Sequence, residues 1–237
     1  MALLSTYPYL GASMMLLTLA ALAVLAWPQR RWELLLAGLL CAPFACFSFE
    51  FIPQYWQPKV VAYFTVASPE DVLFSFAGGV LGWWAAAWPH RARLTLRLDA
   101  RTLLKRYLGW GALGVGVGYL LKYSVPNPQV MLSTLAGMAT VGVSLMWIKR
   151  RLWPLSLSCI VGYGGVYIGV MFAAQALWPQ FITQWTPGSQ LARDFFGMPL
   201  FEVVWAVGFG AVWPLFIGHV FDAELQPLVG PDSAPAN

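Results

Sequence analysis

The sequence predicts an all-α polytopic membrane protein of about seven transmembrane helices. Three observations lead there. The chain is 59% hydrophobic and only 10% charged, where a soluble domain averages about 25% charged, so it lacks the polar surface to face water on all sides. Its apolar residues fall in runs of about 20, the length that crosses a hydrocarbon core of about 30 Å. Its basic residues gather in short clusters between those runs.

In chain order the runs place spans at 8–27, 32–52, 69–89, 107–124, 129–148, 153–177 and 199–221. The first has no basic residue before it and no A-x-A site after it, so it reads as a retained span and not a signal peptide. Connections on one side hold Arg30, Arg31, Arg91, Arg93, Arg97, Arg101, Lys105, Arg106, Lys149, Arg150 and Arg151, eleven of the fourteen basic residues. The opposite side holds Lys59, Lys122 and Arg193. Because cytoplasmic loops carry the excess of Lys and Arg, the expected location is the inner (cytoplasmic) membrane, with the N-terminus outside and the C-terminus cytoplasmic. The segment 90–106 alternates Arg and Leu, as expected of a basic amphipathic element at the lipid headgroups. Residues 222–237, ending P-D-S-A-P-A-N, read as a disordered cytoplasmic tail.

Several function classes are excluded by pattern. The basic clusters are interleaved with Leu and not with aromatics, so no nucleic-acid partner is expected. Cys41, Cys46 and Cys159 lie in apolar runs without metal-ligand spacing. His90 and His219 have no partner at ligand spacing, and no metal is expected. The G-x-G-x-G at 114–118 sits inside a span with no strand before it, which makes it a helix-packing face and not a dinucleotide loop. No cofactor is expected. A retinal Schiff base needs a lysine in the last span, and 199–221 has none.

The chain also resembles itself. At 68–79 it reads S-P-E-D-V-L-F-S-F-A-G-G, and at 199–213 P-L-F-E-V-V-W-A-V-G-F-G-A-V-W. Aligning Glu202 with Asp71 sets Trp205 on Phe74 and Gly210 on Gly79. The preceding connections agree: F-I-P-Q-Y-W at 51–56 parallels L-W-P-Q-F-I at 177–182. This ordered self-similarity predicts two parallel three-helix repeats. The expected divisions are a first unit at 1–106, a linking span at 107–128, a second unit at 129–221 and the tail at 222–237. Glu50, Glu70, Asp71 and Glu202 then converge at the outer boundary.

Here the sequence resembles a known family. Y-W-Q-P-K-V-V followed by S-P-E-D-V-L-F-S-F is similar to the lycopene cyclase domain, which has an aromatic-Pro loop before a P-x-E-[ED]-x-x-F helix start. The resemblance covers most of 45–85 and 175–215. Pro69 stands one place later than in that pattern, and Phe201 occupies the place of the first acid in the second unit. The resemblance implies a fusion of two three-span units through a linking helix, and a carotenoid or other isoprenoid lipid as ligand within the bilayer.

Cyclising a linear polyene end is redox-neutral. An acid protonates the terminal double bond, an internal double bond attacks the tertiary cation, and a base removes a ring proton. Such an acid stays protonated near neutral pH, which burial beside a second carboxylate promotes. Asp71 and Glu202 are the expected acid and base, with Glu70 and Glu50 tuning them. Phe74, Trp205, Tyr55 and Trp56 are the expected substrate-binding rings, able to stabilise a cation. Beside this stands a plainer reading, in which Glu70 or Asp71 caps its helix and Glu50 pairs with Lys59 or Lys122. Two other functions stay open: a terpene cyclase acting on a shorter prenyl chain, and a non-catalytic carotenoid- or lipid-binding subunit of a larger membrane complex.

Overall fold

The structure, a computed structural model, describes residues 2–126, 129–185 and 194–227. It is mostly helical. A short α1 (Ala2–Thr6) precedes α2 (Pro8–Ala26); α3 (Arg31–Cys41) continues as a 3-10 helix, Ala42–Phe51; then come α4 (Pro69–Ala87), α5 (Ala100–Ser124), α6 (Val130–Ile148), α7 (Trp153–Leu177) and α8 (Leu200–Val220). Six helical stretches among the described residues are long and apolar enough to cross a membrane: Pro8–Ala26, Pro28–Phe51, Pro69–His90, Val130–Ile148, Arg150–Leu177 and Leu200–Val220. The chain is therefore a multi-span, membrane-type helical protein. The expected fourth span belongs to α5, whose glycines and four basic residues leave it less apolar than the other six.

α4 and α8 form the centre. In each, 56% of the apolar window is buried, against 28–39% in the other four. α4 packs on α2, α3 and α7, while α8 packs on α5, α6 and α7. The two central helices run in the same direction, because their contacts advance together: Phe74 meets Trp205, Trp213 Nε1 donates to Gly79 O at 3.1 Å, and Trp83 meets Phe221. Gly79 is needed where it sits, since a Cβ there would lie 2.7 Å from Ala37 O on α3. The second close crossing is α5 on α6, where a Cβ on Gly137 would run into Gly114 O and one on Gly118 would lie 3.3 Å from Ser133 O. Gly114 and Gly118, with Gly137, thus let two backbones touch, the small-residue packing of membrane helices.

Pro43 lacks the N–H that would continue α3, and from Ala42 the chain winds as a 3-10 helix for ten residues, longer than the usual three or four. At three residues per turn, positions i and i+3 eclipse. Phe44, Phe47 and Glu50 therefore form one row, with Ala45, Ser48 and Phe51 beside it, and both rows face the interior cavity described below.

At the opposite end the basic connections meet. Arg106 Nη1 donates to Asp222 Oδ1 at 2.8 Å and to His219 O at 2.7 Å, and Lys149 Nζ reaches the same carboxylate oxygen at 3.3 Å. Trp27, Trp32, Trp88 and Trp147 each stack with a neighbouring arginine, 4.3–5.6 Å from ring to guanidinium. Two expectations need correction here. The basic segment 90–106 is not one amphipathic element: Leu94–Thr95 form strand β1, and from Ala100 the chain already belongs to α5, capped by Asp99 accepting from Thr102 N at 2.8 Å. The boundary expected at 106/107 falls inside that helix. The tail is ordered at its start, because Glu224–Leu225 form strand β4, antiparallel to β1, and Gln226 N donates to Arg93 O. The remainder of the expected disordered tail, 228–237, lies outside the described residues, as do Arg193 and the end of the expected linking span at 127–128. Strands β2 (Asp194–Phe195) and β3 (Met198–Pro199), numbered in chain order between β1 and β4, form a small hairpin leading into α8.

Candidate functional site

The start of α4 shows why S-P-E-D is written as it is. Ser68 caps the helix and Pro69 occupies its first position, where a missing N–H costs nothing. Asp71, third in the helix, completes a capping box: its N–H donates to Ser68 Oγ at 3.1 Å, and its Oδ2 accepts from Ser68 N and Oγ at 2.8 Å each. The plain capping reading is therefore correct for Asp71. Asp71 also does more than cap. Oδ1 accepts from the Tyr9 hydroxyl of α2 and Oδ2 from Ser48 Oγ of the 3-10 helix, both at 2.9 Å.

Glu202 is likewise third in α8. Its Oε1 accepts from the Tyr55 hydroxyl at 2.7 Å and Trp185 Nε1 at 2.9 Å, and its Oε2 accepts from the Tyr167 hydroxyl of α7. Burial, and then the carboxylate of Glu202, push the Tyr55 hydroxyl above the usual phenol range, so it stays a donor. Asp71 and Glu202 are 3% and 7% exposed, and neither has an ion-pair partner among the described residues. Hydroxyl and indole donors take the place of cations.

The two acids line one cavity of about 340 Å³, within the ~300–1,000 Å³ range of ligand sites. Lining residues reach from Lys122 to Trp110 on α5 and from Glu202 to Phe216 on α8, so the cavity extends about 20 Å along the helices at 1.5 Å per residue. Its floor is a ladder of rings. Phe74 meets Tyr167 and Trp205; Trp205 stacks on Phe209 at 5.2 Å and 19°, and Phe209 on Trp213 at 5.4 Å and 14°, with Phe216 next. The i, i+4 spacing of 205, 209 and 213 puts these side chains on one face of α8.

A lid closes the acid end. The aromatic loops after the 3-10 helix and after α7 pair with each other: Trp56 and Trp185 form an antiparallel bridge, and Gln57 N donates to Gln184 O at 2.6 Å. Trp56 also packs edge-on against Tyr9 at 4.6 Å.

All four ring residues expected to bind substrate (Phe74, Trp205, Tyr55 and Trp56) line the cavity together with Asp71 and Glu202. Glu70 does not. It is fully buried, with Oε1 accepting from Val61 N at 2.8 Å and holding the 52–68 loop, and it turns away from the cavity. Glu50 lines the cavity rim but is paired with Lys122 and accepts from the Tyr119 hydroxyl at 2.7 Å. Tyr9, Ser48, Tyr167 and Trp185, which hold the two acids, and the ladder members Phe209, Trp213 and Phe216 were not singled out from the sequence. A phenol inside an apolar span needs a buried partner, and that was the signal available for Tyr167. Among the described residues no three His, Cys, Asp or Glu side chains converge as metal ligands.

Comparison of the chain with protein-family models, with curated proteins and with solved structures finds no match.

Proposed function

We propose that this chain is a membrane-embedded isoprenoid cyclase that closes a ring at the end of a linear polyene by proton-initiated cyclisation, as its resemblance to the lycopene cyclase domain implies. The observation that supports this most is the pairing of two buried carboxylates without cations, Asp71 and Glu202, on one apolar cavity floored by stacked rings. In this reading one carboxyl gives its proton to the terminal double bond. The electrons of an internal double bond then close the ring onto the tertiary cation, and the other carboxylate removes a proton from a ring carbon. Substrate and product are isomers, and no oxidant or reductant enters. Phe74 and Trp205 face the developing cation, each contributing about 0.5–2 kcal/mol.

The finer architecture belongs to the same proposal. α2–α4 and α6–α8 are two three-helix units, α5 is the linking span that brings the number to seven, and the acid end faces outward. The identical third-in-helix position of Asp71 and Glu202 supports the repeat. The arginine–tryptophan belt at the other end supports the orientation.

One observation favours a second reading. Asp71 accepts one hydrogen bond on Oδ1, from Tyr9, and three on Oδ2, from Ser48 and twice from Ser68, so Oδ2 is fully occupied and only one lone pair, on Oδ1, is left for a ligand. A carboxylate so occupied suits a non-catalytic carotenoid- or lipid-binding subunit. Expression in a cell that accumulates linear carotenoids, followed by pigment analysis, separates the two. A cyclase yields cyclic product from wild type, with a loss of about 10²–10⁴-fold in Asp71→Asn and Glu202→Gln. A binding subunit yields no cyclic product but retains the linear pigment on purification.

A further inference from the structure

One fully buried polar group in the cavity wall is unspent. Tyr163 on α7 is fully buried and lines the cavity, and its hydroxyl has no hydrogen-bond partner among the described residues. Of the buried side-chain polar atoms lacking a partner among the described residues, it alone belongs to a residue lining this cavity. The other phenols around the acids, Tyr9, Tyr55 and Tyr167, all donate to a carboxylate. Tyr163 lies one helical turn from Tyr167, about 6 Å further from Glu202, and packs against Phe209 of the ring ladder at 4.9 Å. A phenylalanine would make the same ring contacts without leaving a donor unpaired, so packing does not account for the hydroxyl.

The residue facing it is Gly78. A Cβ at this position would lie 3.3 Å from the Tyr163 hydroxyl and meet only that side chain. Gly78 also lines the cavity. With no side chain at Gly78, nothing on the facing stretch of α4 accepts from the hydroxyl.

From this geometry we infer that the cavity takes an oxygenated isoprenoid, one carrying a carbonyl, ether or hydroxyl oxygen that accepts a hydrogen bond from Tyr163 about one helical turn from the acid pair. A purely hydrocarbon ligand gives this donor nothing to bind. The inference rests on the reading of the cavity as the ligand site, and it holds for a cyclase and for a binding subunit alike.

The test uses the full chain in lipid nanodiscs and a set of C20 polyenes: one hydrocarbon, and analogues with a single keto group at successive carbons. Quenching of emission from the cavity tryptophans reports binding. At least one ketone should bind wild type about threefold to tenfold more tightly than the hydrocarbon, the yield of one hydrogen bond. Tyr163→Phe should remove that preference, bringing the ratio of ketone to hydrocarbon affinity to about one. Gly78→Ala, which covers the hydroxyl while leaving Tyr163 in place, should do the same. Equal binding of ketones and hydrocarbon to wild type overturns the inference and leaves the cavity reading standing, as does a preference that survives Tyr163→Phe. If no polyene binds wild type, the cavity reading fails and the inference falls with it.

Discussion

The hydroxyl of Tyr55 donates a 2.7 Å hydrogen bond to Glu202, 147 residues further along the chain. Tyr55 stands on the loop that precedes α4, whereas Glu202 belongs to α8, so the bond ties the first half of the molecule to the acid of the second. Removing the donor leaves a buried carboxylate short of one partner. Hydrogen bonds to charged groups contribute about 1.5–3 kcal/mol, and Tyr55→Phe should destabilise the protein by that order. In a double-mutant cycle with Glu202→Gln the two changes should be non-additive, as read from unfolding midpoints in mixed detergent.

The glycines of α5 and α6 make a contrasting pair. A Cβ on Gly137 runs into the backbone carbonyl of Gly114, which cannot rotate away, whereas one on Gly116 meets nothing within 4 Å. Gly137→Ala should therefore destabilise by about 1–3 kcal/mol, the usual range for overpacking. Gly116→Ala should be neutral or stabilising by up to about 1 kcal/mol, because alanine loses less backbone entropy in a helix. The same unfolding assay gives both values, and similar losses in the two variants would rule out the close α5–α6 crossing.

These cases mark what was legible in the sequence. Helix positions were legible because long apolar runs and charge clusters act locally, and the S-P-E-D cap acts within four residues. The 3-10 winding after Pro43 was not. Proline signals a break in an α-helix, but whether the chain turns away or tightens depends on what it packs against. The site was half legible. Acids in apolar surroundings stand out, so Asp71 and Glu202 were visible, but their donors Tyr9, Ser48, Tyr167 and Trp185 come from four other segments. Periodicity gives the face of a helix and not the neighbour that face meets. Glu70 stands apart from the cavity for a related reason: it is adjacent to Asp71 in sequence, yet about 100° around the helix, where it meets the Val61 N–H.

Asp222 closes the other end of the molecule, and its behaviour with pH follows from its partners. The Arg106 hydrogen bond, joined by Lys149, holds its carboxyl below the usual aspartate range despite partial burial. A depressed folded-state value means the latch stabilises fully above the unfolded value of about 3.9. That contribution is lost as pH falls through the folded-state value. Wild type should therefore lose protection of the 222–227 segment from proteolysis only in acid, using an acid-active protease. Asp222→Asn should lose it at neutral pH as well, and its remaining stability should be flatter across the acid range. An acid dependence unchanged by Asp222→Asn would assign it to another carboxylate.

The seam between α5 and α3 with its 3-10 continuation rests on side chains. Tyr107 donates to Leu40 O at 2.9 Å, Tyr119 donates to Glu50, and Lys122 pairs with Glu50, with 16% and 13% of the lysine and glutamate side chains exposed. Glu50, Tyr119 and Lys122 line the cavity. A partly buried pair loses more when one member is removed than when both are, because a lone charge stays desolvated. Glu50→Gln and Lys122→Met should each destabilise the protein, whereas the double variant should recover part of the loss. The exchange Glu50→Lys with Lys122→Glu should recover less than the double neutral variant, since Tyr119 then faces a lysine that cannot accept its hydrogen bond. Unfolding midpoints of the four variants order these effects. Additive losses in the double neutral variant would show that Glu50 and Lys122 act independently, and that the seam is held by Tyr107 and the neighbouring rings.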